Sequence, residues 1–269
     1  MKIFKRRKCE KCTGSTLQPF TRLGLRTDKF DYIVALAGNP NTGKSTVFNR
    51  LTGLHQHTGN WPGKTVTRAE GGFSYQDKNY KLIDLPGTYS LLSNTTDEEI
   101  ARNYILFGQP DVTVIVVDAS RLERNLNLVL QILEITDRAV VCLNLLDEAN
   151  RHQIGIDENQ LAGDLGVPVV PTVARSGKGM SGLLRAISDV AHGCVHPAPH
   201  RIQIESREVN EAVNKLVEKL NAAYPGIPNT RWIALRLLEG DESIIEAVRN
   251  DALFDIIKDQ IAVPKALAG

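Results

Sequence analysis

The chain has 269 residues, 42% hydrophobic and 23% charged, with 32 Lys and Arg against 31 Asp and Glu for a formal net charge of +1. That balance suits a soluble globular protein of one large domain, or a large and a small one, and argues against a protein built to bind nucleic acid. No apolar run approaches the ~20 residues of a transmembrane helix, and the basic first residues lack the apolar core of a secretory signal.

Residues 1–31 carry a basic cluster, Lys2, Lys5, Arg6, Arg7, Lys8 and Lys11, with no helical or strand period. They read as an extension, solvated by default, with contact to an acidic membrane surface as the sharper alternative. Cys9 and Cys12 have the spacing of half a zinc site, but a closed site needs four ligands, so an incidental pair is the plainer reading. Cys142 reads as a small buried thiol; with Cys194 far along the chain no disulfide framework emerges, which points to a reducing compartment.

From Tyr32 the pattern becomes periodic. Strands are predicted at Tyr32–Ala37, Tyr80–Ile83, Val112–Asp118, Ala139–Leu143 and Val167–Val170. Helices are predicted to start at Lys44 and to cover Glu98–Phe107, Asn125–Thr136, Glu158–Leu165 and Gly182–Ala191. This alternation implies right-handed crossovers and a mostly parallel α/β sheet covered on both faces. His196-Pro197-Ala198-Pro199 reads as a linker. Beyond it Val209, Val213, Leu216, Val217 and Leu220 repeat at helical spacing. Asn229 or Thr230 is expected to cap a helix over Trp232–Leu238, Asp241 another carrying Ile244, Ile245 and Val248, and a last helix is expected near Leu253–Ile261. The predicted organisation is therefore an extension over 1–31, a nucleotide-binding domain over 32–195, and a small all-helical domain over 200–262.

Gly38-Asn39-Pro40-Asn41-Thr42-Gly43-Lys44-Ser45 joins a predicted strand to a predicted helix and matches G-x-x-x-x-G-K-[ST]. Glycines let the backbone wrap phosphates, the helix N-terminus adds partial positive charge, Lys44 brings a full one, and Ser45, followed by Thr46, offers a hydroxyl to Mg²⁺. Asp84-Leu85-Pro86-Gly87 ends the next predicted strand, where Asp84 is placed to hold Mg²⁺ through water and Gly87 to bring a backbone N–H to the γ-phosphate. Asn144-Leu145-Leu146-Asp147 follows the fourth predicted strand. A carboxylate at Asp147 accepts from both guanine donors, N1–H and the N2 amino group, a pair that adenine lacks. Val173-Ala174 follows the fifth, where the Ala174 N–H is expected at guanine O6. Each short motif alone also reads as an ordinary turn; their order makes GTP/GDP the expected ligand.

The set GNPNTGKST, NWPGKTVT, DLPG and NLLD resembles the cytosolic N-terminal region of the ferrous iron transport protein B family, over about residues 32 to 262. Asn60-Trp61-Pro62-Gly63 is its most specific element. The resemblance implies a GTPase domain followed by a helical domain likened to a nucleotide-dissociation inhibitor. It implies that Thr65 is the switch I threonine closing on Mg²⁺ and γ-phosphate, that Thr88 to about Glu99 form switch II, and that Asn41 is the P-loop asparagine linked to K⁺ activation. It further implies a membrane transport domain carrying Fe²⁺ as the partner of this region, at the cytoplasmic face of the bacterial inner membrane, and leaves a homo-oligomer open. Leu145 stands where N-K-x-D has Lys, and Val173 where the base loop has Ser. Thr88 and Tyr89 follow Gly87 in place of a water-orienting Gln, so slow intrinsic hydrolysis is expected. A stand-alone GTPase of ribosome or RNA maturation and a module using GTP only as a structural ligand are the rival readings. His55 and His57 read as a solvated mobile loop rather than iron ligands. The acidic run Asp97, Glu98 and Glu99 reads as helix N-terminal carboxylates, or more sharply as a switch II surface for a partner.

Overall fold

The computed structural model describes residues 30–54, 56–61, 64–92, 95–201, 206–250 and 253. The extension with Cys9 and Cys12, His55, Pro62, Gly63 and the last predicted helix beyond Leu253 lie outside them. Seven strands form one sheet in the order β2-β3-β4-β1-β5-β6-β7. Strands β1 (Tyr32–Gly38), β4 (Lys78–Asp84), β5 (Val112–Asp118), β6 (Ala139–Asn144) and β7 (Val169–Pro171) run parallel, while β2 (Gln56–Asn60) and β3 (Thr67–Tyr75) pair antiparallel at one end. The mostly parallel α/β architecture is as expected; the antiparallel pair is not.

Alternation along β1 shows how the sheet is covered. Val34 and Leu36 face a core with Phe48 and Leu51 of α1 (Lys44–Thr52) and Leu183 and Ile187 of α6 (Met180–Ala191). Ala35 and Ala37 face a second core with α2 (Thr96–Gly108), α3 (Leu122–Ile135) and Leu165 of α5 (Glu158–Leu165). Between β6 and α5 a short helix, α4 (Leu146–Arg151), carries Asp147; no helix is predicted there from the sequence.

The missed strands are polar. β2 is Gln-His-Thr-Gly-Asn, and its His57 is an exposed strand residue opposite Glu70, not part of a loop. In β3 one of the three buried positions, beside Gly71 and Phe73, is charged. Glu70 is 4% exposed and pairs with Arg68 at 2.8 Å and Lys81 at 2.9 Å, close ionic contacts rather than well-aligned hydrogen bonds. A buried charge survives folding only with such partners.

The helices α7 (Arg207–Ala223), α8 (Thr230–Glu239) and α9 (Glu242–Arg249) form the helical unit, and their buried Val213, Leu220, Trp232, Ile233 and Ile244 join the second core. Asp241 caps α9 as expected, accepting from the Ser243 and Ile244 N–H groups. Asn229 precedes α8 at φ 53 but does not cap it; its amide donates to the Ile135 carbonyl, 2.8 Å, at the end of α3. The proline linker is docked as well. Ala198 N–H donates to Gly166 O at 2.9 Å, and a Cβ on Gly166 (φ 72) would lie 2.0 Å from Ala198 O.

Candidate functional site

Parallel strands end together, and the loops after β1, β4, β6 and β7 meet at that edge. β1 delivers Gly38, where a Cβ would stand 2.5 Å from the Val116 carbonyl oxygen of β5, so the two backbones approach too closely for a side chain. The turn that follows is held by Thr42 Oγ1 donating to Asn39 O, 2.9 Å. Asn41 (φ 66) and Gly43 (φ 80) take left-handed conformations, which Asn tolerates better than most residues. A Cβ on Gly43 would meet Asn144 Nδ2 at 2.4 Å. α1 then starts at Lys44 with no side-chain cap, leaving its first N–H groups for an anion, with Ser45 and Thr46 exposed beside them. Asn39 is 3% exposed, and both polar atoms of its side chain lack a hydrogen-bond partner.

The base loops are tied to this turn by one buried side chain. Asn144, 1% exposed, donates from Nδ2 to Thr42 O (3.0 Å) and accepts at Oδ1 from the Ala174 N–H (3.0 Å) and the Thr172 hydroxyl (3.3 Å). Both Asn144 and the Ala174 N–H, expected at the nucleotide, are thus engaged with each other. Arg50 of α1 donates from Nε to Ala174 O at 3.0 Å, and Val173 N–H donates to Lys178 O at 2.9 Å, so the base loop is braced although Val173 replaces the expected serine. Leu145 sits at φ 60, an uncommon conformation for a branched apolar residue that is held only where the surroundings fix it. It turns the chain so that Asp147 falls in the first turn of α4. Asp147 Oδ1 is buried with no hydrogen-bond partner, while Oδ2 lies 3.9 Å from Arg151. A buried acceptor without a donor is costly, and the paired donors of guanine suit it.

The phosphate and metal side is organised differently. Lys44 Nζ pairs with the Asp84 carboxylate and donates to Leu85 O at 2.7 Å. Burial pushes the Asp84 carboxyl above its ordinary range, and Lys44 opposes that shift. The residues expected to hold phosphate and Mg²⁺ therefore hold each other. The donor set, an exposed Ser45 hydroxyl and the Asp84 carboxylate, is the hard oxygen chemistry Mg²⁺ takes. Among the described residues no group of three or more His, Cys, Asp or Glu could hold a metal ion. Gly87 faces Pro40, where a Cβ would meet ordinary contact at 3.5 Å, and Thr88 N–H reaches Gly38 O at 3.4 Å. Thr65 is exposed and stands outside these contacts.

The segments around it are anchored on α2 and α3. Trp61 is 2% exposed, edge-on to Tyr104 at 5.4 Å between centroids, with the Arg68 guanidinium 5.6 Å from its own ring. Lys64 Nζ pairs with Glu99 at 2.9 Å. Tyr89 stacks under Arg124 at 4.5 Å, and the Leu91 N–H donates to Gln131 Oε1 at 2.6 Å. The acidic run opens α2 behind its Thr95 cap, with Glu98 accepting from the Ser90 hydroxyl. A cleft of about 740 Å³ lies beside the P-loop, lined by Asn39, Asn41, Tyr89, Asp118, Arg124 and Leu145 among others. Arg50 and Gln131, which brace these loops, carry no motif that would mark them in the sequence.

Residues 32–187 match the family described as ferrous iron transport protein B, and residues 206–265 match the FeoB cytosolic helical domain. The Fe(2+) transporters FeoB of Salmonella typhimurium (strain LT2) and Escherichia coli (strain K12) are each 44% identical over 212 residues. That stretch is 77% of this chain and 27% of either relative, so the chain spans about a quarter of the length of the curated relatives it matches. Among solved structures, the cytosolic domain of T. maritima FeoB in GDP form I aligns with TM-score 0.73 and 34% identity, covering 88% of this chain and 93% of that one. The cytosolic domain of L. pneumophila FeoB aligns with TM-score 0.70 and 32% identity, covering 86% and 98%. With the family matched across both its α/β and its helical parts, the chain belongs to the ferrous iron transport protein B family.

Proposed function

We propose that the chain is the GTP-binding and GTP-hydrolysing regulatory region of a ferrous iron transporter, with a nucleotide-binding domain over 32–195 and a helical domain over 200–262. The observation that carries this reading is the Asp147 carboxylate. One of its oxygens is buried and unpartnered, next to an Asn144 that is hydrogen-bonded into the P-loop. The T. maritima relative in its GDP form supports the same ligand class. A membrane transport part, at the cytoplasmic face of the inner membrane, is the partner implied by the remaining length of the relatives. A stand-alone GTPase is disfavoured by the match of residues 206–265 to the helical domain.

In this reading Lys44 leaves Asp84 to reach the β- and γ-phosphates, and the N–H groups opening α1 take the remaining phosphate oxygens. Ser45, Asp84 and, in the triphosphate state, Thr65 are the Mg²⁺ residues. Bound Mg²⁺ would neutralise charge developing on the bridging phosphate oxygens. The Gly87 N–H meets the γ-phosphate, and because neither Thr88 nor Tyr89 carries a Gln amide, turnover is slow. Asn41 offers a side-chain carbonyl for K⁺ beside the phosphates.

Titration of Asp147→Asn with labelled GDP and xanthosine diphosphate tests the base assignment. Loss of a charge-assisted bidentate contact is expected to weaken GDP by about 2–4 kcal/mol and to favour xanthosine diphosphate. Unchanged GDP affinity overturns the assignment.

A further inference from the structure

Arg50 lies in the last turn of α1, where a cation suits the carbonyl end of a helix. Its guanidinium nevertheless reaches off α1 to the base loop. Nε donates to Ala174 O at 3.0 Å and Nη2 to Arg175 O at 2.5 Å, 124 and 125 positions along the chain. Two donors in one rigid plane fix two successive carbonyls at once, which a single ammonium does not.

A trans peptide unit carries its C=O and its N–H on opposite sides. No peptide bond among the described residues is cis. With the Ala174 carbonyl held towards α1, the N–H of the same unit, that of Arg175, is turned away from α1. The other donors of the loop are spent. Val173 N–H goes to Lys178 O at 2.9 Å, Ala174 N–H to Asn144 Oδ1 at 3.0 Å, and the Ser176 and Gly177 N–H groups to Val173 O at 3.1 and 3.0 Å. Among the described residues nothing accepts from the Arg175 N–H. On the neighbouring loop Asp147 Oδ1 is the buried acceptor without a donor. The two base loops therefore hold one unfilled donor and one unfilled acceptor. The edge of guanine carries the complement, O6 beside N1–H.

We propose that Arg50 is a positioning residue for guanine recognition. By holding the Ala174 and Arg175 carbonyls on the α1 side, it aims the Arg175 N–H at the base, where it donates to O6. The Ala174 N–H, expected at O6 from the sequence, stays on Asn144 and ties the loop to the P-loop. The inference rests on the reading of the chain as a guanine-nucleotide-binding protein and says how that base is read.

The test compares dissociation constants of GDP, 6-thio-GDP and IDP for the parental chain, Arg50→Met and Arg50→Lys. 6-thio-GDP keeps both guanine donors but presents sulfur, a weaker acceptor, at C6; IDP keeps O6 and loses the N2 amino group. Arg50→Met is expected to weaken GDP by about three- to tenfold, the loss of one aligned hydrogen bond, and to shrink the preference for GDP over 6-thio-GDP by a similar factor. The preference for GDP over IDP, which reads Asp147, is expected to hold. Arg50→Lys is expected to fall in between, because its ammonium reaches one carbonyl. A GDP to 6-thio-GDP ratio that keeps its parental value in Arg50→Met would make Arg50 a loop-stability residue only and overturn the proposal. So would equal parental affinities for those two nucleotides. The amide spectrum of the parental chain labelled with nitrogen-15 needs no variant. GDP is expected to move the Arg175 amide proton downfield, and 6-thio-GDP to move it less. A response at Ala174 with Arg175 unmoved would also overturn the proposal. Failure of the parental chain to bind GDP would instead refute the nucleotide reading itself.

Discussion

The base side and the phosphate side of the site are built on opposite principles. On the base side Asn144 joins the P-loop, the end of β6 and the loop after β7 through three buried hydrogen bonds, and Arg50 braces that loop from α1. On the phosphate side the reactive groups are exposed, as Ser45 and Thr65 are, or paired with each other, as Lys44 and Asp84 are. On the proposed guanine-nucleotide reading, the difference teaches that recognition of the base would be set before the nucleotide arrives, whereas the catalytic arrangement would be assembled with it. Rigidity sits where selectivity is needed, and rearrangement where the two nucleotide states must differ.

The most damaging way to break this contrast is Asn144→Ala. It leaves Thr42 O and the Ala174 N–H without their buried partner, at about 1–3 kcal/mol for each group that finds no substitute, while the Thr172 hydroxyl keeps Leu143 O at 3.4 Å and Cys142 Sγ at 3.2 Å. Chemical denaturation should show a stability loss of about 3 kcal/mol or more, with GDP affinity falling in parallel. A variant as stable as the parent would mean that the loops are not held through Asn144.

A smaller effect sharpens the phosphate side. Hydrolysis at saturating GTP is expected to run about tenfold faster in KCl than in NaCl at equal ionic strength, which corresponds to ~1.4 kcal/mol of transition-state stabilisation. Asn41→Ala should erase the difference. The left-handed conformation of Asn41 supplies the competing account, in which the residue serves only the turn. On that account Asn41→Ala weakens nucleotide binding equally in both salts. Equal parental rates in the two salts would end the K⁺ mechanism.

The smallest change is expected for Thr65→Ala in the diphosphate state. Thr65 is exposed and outside the P-loop contacts, so GDP affinity should move by less than about 0.5 kcal/mol, as for an ordinary surface substitution. Hydrolysis should slow, because the threonine acts only with Mg²⁺ and γ-phosphate in place. Single-turnover rates beside GDP titrations separate the two, and parental hydrolysis would remove Thr65 from the switch.

What could be read from sequence follows the same division. Four of the five parallel strands are compact apolar runs because both faces of the sheet are covered, while β4 carries Lys81 buried against Glu70, and the strand ends carry the motifs. β2 and β3 escaped because their side chains hide the signal: β2 has no apolar residue, and β3 buries Glu70 against Arg68 and Lys81 where a hydrophobic residue would mark a strand. The motifs located Lys44, Asp84, Asn144 and Asp147 but not their pairings. Asn144 and Thr42 are 102 positions apart, and Arg102 and Asp241 are 139 apart. No local pattern encodes contacts of that separation. Asn229 shows the reverse error. It has the composition of a cap but is drawn away to the Ile135 carbonyl by tertiary contact.

The two tryptophans of the chain give it a built-in optical readout. Trp61 lies beside Tyr104 and Arg68 in the α/β part, and Trp232 lies in the helical unit with Arg102 and Arg236 within 5.9 Å and 5.4 Å of its ring. Each indole has a guanidinium over it, and the emission of an indole responds to the position of a nearby charge. Excitation at the red edge of protein absorbance therefore reports on both sides of α2 without any attached dye. In Trp61→Phe, only Trp232 remains to emit, so a nucleotide-dependent change in that variant would be light coming from the helical unit in answer to an event at the P-loop.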